Sequence, residues 1–185
     1  MSKQELKKYA KKQKRIFTGS ITLVPYRTSD AKVLLGMLDR EVCDQIGWNQ
    51  PKNLRALQFF LKNKESLFWI LYVGKEAVGC IFIDLKITET TAWKKRAANL
   101  GYFVDRMQRN KGYASLAVSA IVDFAFNKLG IVRMIAGCLV HNKYSKRVIE
   151  KNGFRLIGIE RKYTMVKSLG AYVNHYLFDK VIIHS

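Results

Sequence analysis

The run Arg109-Asn110-Lys111-Gly112-Tyr113-Ala114 carries the sharpest chemistry in this chain. It follows a predicted strand, Leu100 to Val104, and opens a long apolar helix. A small-residue turn at that point frees several main-chain N–H groups to converge on one spot. The helix N-terminus adds partial positive charge, worth about 0.3–1 kcal/mol for each nearby anionic group. Together they make a phosphate cradle, with Arg109 and Lys111 as two cations beside it. The run lacks Gly-x-x-x-x-Gly-Lys-Ser/Thr and Gly-x-Gly-x-x-Gly, so neither of those nucleotide-binding loops is supported. Taken alone, a basic turn ahead of a helix is equally an ordinary surface feature.

Groups able to hold or move a proton lie elsewhere. Asp84, Glu89, Glu160 and His175 are the candidate bases. Asn142 and Ser145 sit at the start of a short helix, where Asn is also an ordinary N-cap and Ser an ordinary backbone partner. The cysteines, Cys43, Cys80 and Cys138, are far apart among apolar neighbours and form no Cys-x-x-Cys pair. They read as buried thiols rather than as a zinc or redox site, and no metal is expected.

The elements that position these residues are legible in outline. Ile21 to Tyr26 reads as a strand, and Thr28-Ser29-Asp30 offers N-cap chemistry for a helix to about Val42. Pro51 suits the first turn of a second helix, to about Lys64, with Leu54, Leu57 and Leu61 at helical spacing. Leu67 to Val73 and Ala77 to Leu85 flank the turn Gly74-Lys75-Glu76 and read as a hairpin of buried strands. Ile87 to Ala98 is a polar connection. In the helix Gly112 to Lys128, Ser115, Ser119, Asp123 and Asn127 form one narrow polar stripe, so most of that helix is covered. Ile131 to Val140 is a strand, and Asn142 to Asn152 a helix that Gly153 ends. Phe154 to Tyr163 and Tyr172 to Ile182 are strands around Gly170. Mixed runs of strands and helices imply an α+β or α/β class with a central mixed sheet.

With 185 residues the chain is long enough for one full core. Residues 1–20 read as a basic arm, since Lys3 to Arg15 holds seven basic residues and one acid, and 21–185 as the domain. No run approaches a membrane span, the start lacks the apolar stretch of a secretory signal, and a cytoplasmic protein is expected. Lys and Arg outnumber Asp and Glu by 33 to 14, for a net charge of +19. That balance speaks of anionic partners, a phosphorylated cofactor or ribosomal RNA among them. Clusters recur at Lys94-Lys95-Arg96, at Lys143 to Arg147 and at Arg161-Lys162.

Several of these motifs recur together in one family. Arg109, Gly112 and Ala114 match Arg/Gln-x-x-Gly-x-Gly/Ala, and His141-Asn142-Lys143-Tyr144-Ser145 with Lys151-Asn152-Gly153-Phe154 match an Asn-x-x-Ser helix ending in Gly-Phe. On these the chain resembles the GNAT superfamily of acetyl-coenzyme A-dependent N-acetyltransferases. Leu100-Gly101-Tyr102, the Gly170-to-His175 spacing and Trp48 to Pro51 resemble the branch that acetylates N-termini of ribosomal proteins.

The resemblance implies a mostly antiparallel mixed sheet flanked by helices, splayed between the fourth and fifth strands counted from Ile21. It implies that Tyr102, Phe103 and Val104 pair their backbone with the pantetheine arm of acetyl-CoA. Arg109, Asn110, Lys111, Gly112, Tyr113 and Ala114 would surround its pyrophosphate, with Arg106 and Lys143 as further phosphate cations. The Val104 N–H would polarise the thioester carbonyl, Asn142 would touch the cofactor arm, and Ser145 would protonate the departing sulfur. His175 joins Val104 and Ser145 as a catalytic candidate. Two positions depart from the pattern: Asn99 and Asn174 stand where many relatives carry Glu and Asp.

A weak base restricts the acceptor. An α-amine, with a reference pKa of about 7.7–8.0, is about a tenth to a fifth neutral at pH 7, whereas a lysine amine near about 10.4 is neutral about once in two thousand. A protein N-terminus is therefore the expected acceptor. The alternatives are a small-molecule amine, which calls for an acidic pocket near Asp84 and Glu160, and a non-catalytic basic ribosome- or RNA-binding module.

Overall fold

The computed structural model describes residues 15–63, 66–85, 97–166 and 169–182. Glu89, Trp93 and the Lys94-Lys95-Arg96 cluster lie outside them, as does the arm before Arg15. The described residues form one eight-stranded sheet in the order β1-β2-β3-β4-β5-β6-β8-β7. The strands are β1 (Ile16–Thr18), β2 (Ile21–Pro25), β3 (Ser66–Val73), β4 (Glu76–Asp84), β5 (Ala97–Val104), β6 (Arg133–Leu139), β7 (Arg155–Val166) and β8 (Ala171–Val181). Every neighbouring pair is antiparallel except β5 and β6.

The parallel pair makes the feature that matters. Ala97 to Leu100 pair with Arg133 to Ala136, and the ladder stops there, although β5 runs on to Val104 and β6 to Leu139. The sheet therefore forks beyond Leu100 and Ala136. These are the fourth and fifth strands counted from Ile21, as expected. β1 adds one strand before that count. Ile16, Phe17 and Thr18 are good strand formers, and the turn at Gly19, φ +53°, folds them onto β2 with Thr18 opposite Ile21. The sheet thus begins five residues before the boundary expected at Ile21.

Among the described residues five helices cover the sheet: α1 (Ala31–Met37), α2 (Arg40–Ile46), α3 (Leu54–Asn63), α4 (Tyr113–Leu129) and α5 (Lys143–Lys151). Where one helix was expected to Val42, two form. Leu38 leaves helical geometry, and the Asp39 side chain accepts from the Val42 N–H at 2.7 Å, capping a new helix. α3 likewise begins after Asn53, which caps the Ala56 N–H at 2.9 Å, rather than at Pro51. α4 and α5 sit where the sequence places them, and Gly130 ends α4 in the left-handed region at φ +65°. Three cysteines are buried free thiols.

Alternation along the strands sorts side chains onto two faces. Ile81, Ile83, Leu100, Val104 and Met134 pack under α4 and α5. Cys80, Phe82 and Phe103 point the other way, into a second core with Trp48 and α1 to α3. α2 lies across that second face, against β5, β6 and β7. The fork therefore opens between two differently furnished faces, one helical and one lined by the α2 wall.

Candidate active site

A cleft of about 1170 Å³ runs through the fork. Of the expected site residues, Tyr102, Phe103, Val104, Arg109, Asn110, Gly112, Tyr113, Ala114, Asn142, Ser145 and His175 all line it. Lys111 does not contribute its side chain. Its Nζ turns to Gln108 Oε1 at 2.7 Å, leaving only its main chain for the turn.

The peptide geometry of β5 sets the chemistry of the fork. Phe103 O lies toward β4, only 2.4 Å from where a β-carbon on Gly79 would stand. A trans peptide holds C=O and N–H on opposite sides, so the Val104 N–H points away from β4 and into the fork. The Asp105 N–H donates back to Val78 O at 2.8 Å, which turns the Val104 carbonyl the same way as its N–H. Tyr102 shares that orientation by the alternation of the strand. Beyond Leu100, β6 no longer pairs with this edge. β5 thus offers a short run of main-chain donors and acceptors to a guest.

The loop at the end of β5 turns through two left-handed residues, Asn110 at φ +65° and Gly112 at φ +81°. No side chain caps α4, so the first N–H groups of this 17-residue helix face the cleft in need of acceptors. An anion of pyrophosphate size suits that vacancy of protein partners. Arg109 is partly engaged by the protein itself. Its Nη1 meets Glu41 Oε1 of α2 at 2.7 Å and its Nε the Val104 carbonyl at 3.4 Å. It ties the loop to α2 as well as adding positive charge. Arg106 also lines the cleft, and so does Arg147, which the sequence offered only as part of the Lys143-to-Arg147 basic cluster. Only the placement of α5 beside the fork brings Arg147 in.

On the helical face the fork meets Ser145. Asn142 caps α5 by accepting from the Ser145 N–H at 3.0 Å. Tyr102 Oη lies 2.9 Å from Ser145 Oγ and 3.2 Å from the Ser145 carbonyl. Burial pushes the Tyr102 phenol well above its usual range, more than the Ser145 hydrogen bond lowers it, so it stays protonated. Past the fork, Cys138 is the β6 residue on this face. Burial pushes its thiol up to about 11, with Lys146 and Ser145 opposing.

On the opposite face stand Trp48, Phe82, Asp84, Asn99, Glu160, Tyr163 and His175. Trp48 and Phe82 are buried and packed at 5.2 Å between ring centroids. A bulge in β7 throws Tyr163 over His175 at 4.2 Å. Lys162, at φ +50°, forms that bulge, and its N–H donates to Asn174 Oδ1 at 3.0 Å. Asn174 thus serves the backbone, a task its oxygen performs without charge. Burial, with some repulsion from His141, pulls the His175 imidazole down to about 4. It is therefore neutral at physiological pH and a hydrogen-bonding group rather than a strong base.

Residues 20–155 match the family model of the acetyltransferase (GNAT) domain. The chain belongs to that family. Those residues are an acetyltransferase (GNAT) domain. Over 80 residues it is 41% identical to a probable N-acetyltransferase, YjcK, of Bacillus subtilis, a match that spans 43% of either chain. The chain thus spans about half the length, or less, of the first curated relatives it matches. A solved structure of RimL, a ribosomal L7/L12 alpha-N-protein acetyltransferase in complex with coenzyme A, superposes with a TM-score of 0.79 at 16% identity, over 91% of this chain and 98% of that one. A spermidine N-acetyltransferase from Vibrio cholerae, solved with CoA and spermine, gives 0.76 at 14% identity, over 88% and 95%. Likenesses at that identity concern the fold.

Proposed function

We propose that this protein transfers an acetyl group from acetyl-CoA to the N-terminal α-amine of a protein, a ribosomal protein being the expected acceptor, by direct attack in a ternary complex. The fork carries the reading: one strand edge turns its main chain into a cleft that ends on an uncapped helix N-terminus. Acetyl-CoA supplies an acetyl thioester, an acyl group already activated toward amines. Amides from Lys111 to Ala114 hold its pyrophosphate, and the Tyr102–Val104 edge pairs with its pantetheine arm.

The Val104 N–H donates to the acyl oxygen, where negative charge grows. Ser145 holds a transferable proton at Oγ, oriented by the Tyr102 hydroxyl, within reach of a leaving sulfur. The amine arrives from the face of Trp48 and His175. An α-amine needs no strong base there, since an appreciable fraction is neutral at pH 7. Asn99 and neutral His175 suit such an acceptor.

A small cationic amine is the second reading, because Asp84 and Glu160 both line the cleft. They belong to β4 and β7, four strand spacings apart in the sheet, or roughly 19 Å at the usual separation. That distance is too great for one ammonium to be gripped by both. The basic residues of α5, Lys143, Lys146, Arg147 and Lys151, give an RNA surface something to meet, with salt-sensitive affinity. Thiol release with peptides beginning Ala, Ser or Met tests the proposal against polyamines. Faster turnover of polyamines moves the acceptor to the second reading, and no release with any amine refutes both.

A further inference from the structure

The acceptor face contains a row of missing side chains. β4 and β5 pair Phe82 with Gly101, β6 and β8 pair Gly137 with Leu177, and β7 and β8 pair Gly158 with Leu177. Gly101 and Gly137 are the first positions past the fork on either side. The row therefore reads Phe82, Gly101, fork, Gly137, Leu177, Gly158, running across the strands to the sheet's edge at β7. Phe82 lays its ring over Gly101 and closes one end. Beyond the fork the row is open. A β-carbon on Gly158 would meet nothing within 4 Å, and one on Gly137 only His175 Nδ1 at 3.3 Å and Tyr176 O at 3.6 Å.

A second observation is the polar side chain on the wall of this trough. His175 is only 8% exposed, lines the cleft, and has its Nδ1 on the Gly137 side, while its buried Nε2 has no hydrogen-bond partner among the described residues. Buried polar groups of this kind ordinarily find partners. Tyr163 stacks on the ring and Glu160 stands beside it across the β7–β8 ladder, so the imidazole is held in place along one wall.

We propose that the trough takes the acceptor as an extended peptide, its amine at the fork, its first peptide groups against His175 over bare Gly137, and its chain leaving past Leu177 and Gly158. This rests on the reading of the acceptor as a protein N-terminus and gives it a path. From the fork to β7 is two strand spacings, about 10 Å, or about three residues at about 3.3 Å each. A single amino acid or a compact amine fills only the start of it. His175 is a substrate-binding residue here, and Gly158 keeps the exit clear.

The experiment measures both binding and turnover for alanine amide, Ala-Gly amide and Ala-Gly-Thr-Ala amide. Binding is followed by calorimetry with coenzyme A present, so it is independent of chemistry. The tetrapeptide is expected to bind at least tenfold more tightly than alanine amide. His175→Phe, which keeps the stack on Tyr163, is expected to remove most of that gain while the KM for acetyl-CoA stays put. Gly158→Val, at a β-compatible open position, is expected to weaken the tetrapeptide several-fold and spare alanine amide. Length-independent binding, or a Gly158→Val variant that binds both equally well, overturns the trough and leaves the acetyltransferase reading standing. Length-dependent binding without thiol release upholds the trough and removes the reading it was built on.

Discussion

Gly101 offers a quantitative check on how the acceptor end is built. A β-carbon there would lie 2.2, 2.6 and 2.8 Å from three carbons of the Phe82 ring. Relief demands a ring shift of roughly 1 Å in a core packed at crystal-like density. The ring has little room to take it, being buried with Trp48 at 5.2 Å and Phe68 at 5.3 Å. Overpacking of this kind costs about 1–3 kcal/mol. In a chain of this size each 1 kcal/mol moves Tm by about 2–4 °C, so Gly101→Ala is expected to lower Tm by roughly 2–12 °C. The displaced ring narrows the cleft at the acceptor face, so the acceptor KM rises while acetyl-CoA affinity barely changes. Phe82→Leu removes the ring carbons that clash, and the double variant melts higher than the two separate losses predict. Calorimetric melting of the four proteins decides it. A Gly101→Ala protein that melts with the parent, or strictly additive losses, refutes the packing argument.

Tyr102→Phe deletes the hydroxyl that holds Ser145; one hydrogen bond of about 1 kcal/mol predicts a kcat about five-fold lower with the KM for acetyl-CoA unchanged, and steady-state kinetics showing no loss would end the orienting role. The pH dependence of kcat/KM for a peptide is expected to follow its own α-amine near about 7.7–8.0, with no inflection at the usual histidine value, because His175 is held down to about 4. The same shift predicts acid sensitivity. Its folded value lies below its unfolded one, so the unfolded chain binds the proton first and stability falls as pH drops from about 6.5 toward 4, by at most about 3 kcal/mol and less where solvent screens the ring. Urea unfolding at pH 7 and pH 4.5 measures this, and His175→Phe should flatten the difference. Glu41→Gln breaks a half-exposed ion pair with Arg109 and is expected to cost no more than about 1 kcal/mol, a few degrees by melting; a larger loss would mean that Arg109 does more for the fold than tie a loop.

Much of the loop and helix end of the cleft was legible because it is local in sequence. Arg109 to Ala114 is a turn followed by a helix, and its left-handed residues and uncapped amides follow from composition over six positions. Asn142 and Ser145 are a cap and its partner, three residues apart. The acceptor side was less legible because strand pairing makes it. Nothing in the sequence aligns Gly101 with Gly137, or Glu160 with His175. The two-residue register shift that seats Tyr163 on His175 comes from a bulge between Glu160 and Thr164, which period-two patterning cannot reveal. Splitting the first helix at Leu38 was hidden for a different reason: the apolar spacing of Leu34, Leu38 and Val42 fits one helix, and only the strength of Asp39 as a cap divides it. That division is what swings α2 across the fork.

The two faces of the forked sheet would let so basic a protein accept the ammonium-bearing substrate proposed for it. Arg106 and Arg109 of the loop and Arg147 of α5 line the cleft, where the phosphates and leaving thiol of the proposed reaction would need them. The opposite face presents the acidic residues Asp84 and Glu160, with aromatic rings and a neutral imidazole between them. A sheet about one residue thick separates these environments, and only the fork connects them. Long-range repulsion of the amine by the net charge of +19 is screened within about 8–10 Å at physiological salt, so the nearer, uncharged and acidic wall decides what binds. Raising ionic strength should accordingly weaken acetyl-CoA binding, which depends on exposed cations, while leaving or improving the KM for a neutral-bodied peptide. A salt dependence of the same sign and size for both substrates would show that the faces are not electrostatically separate.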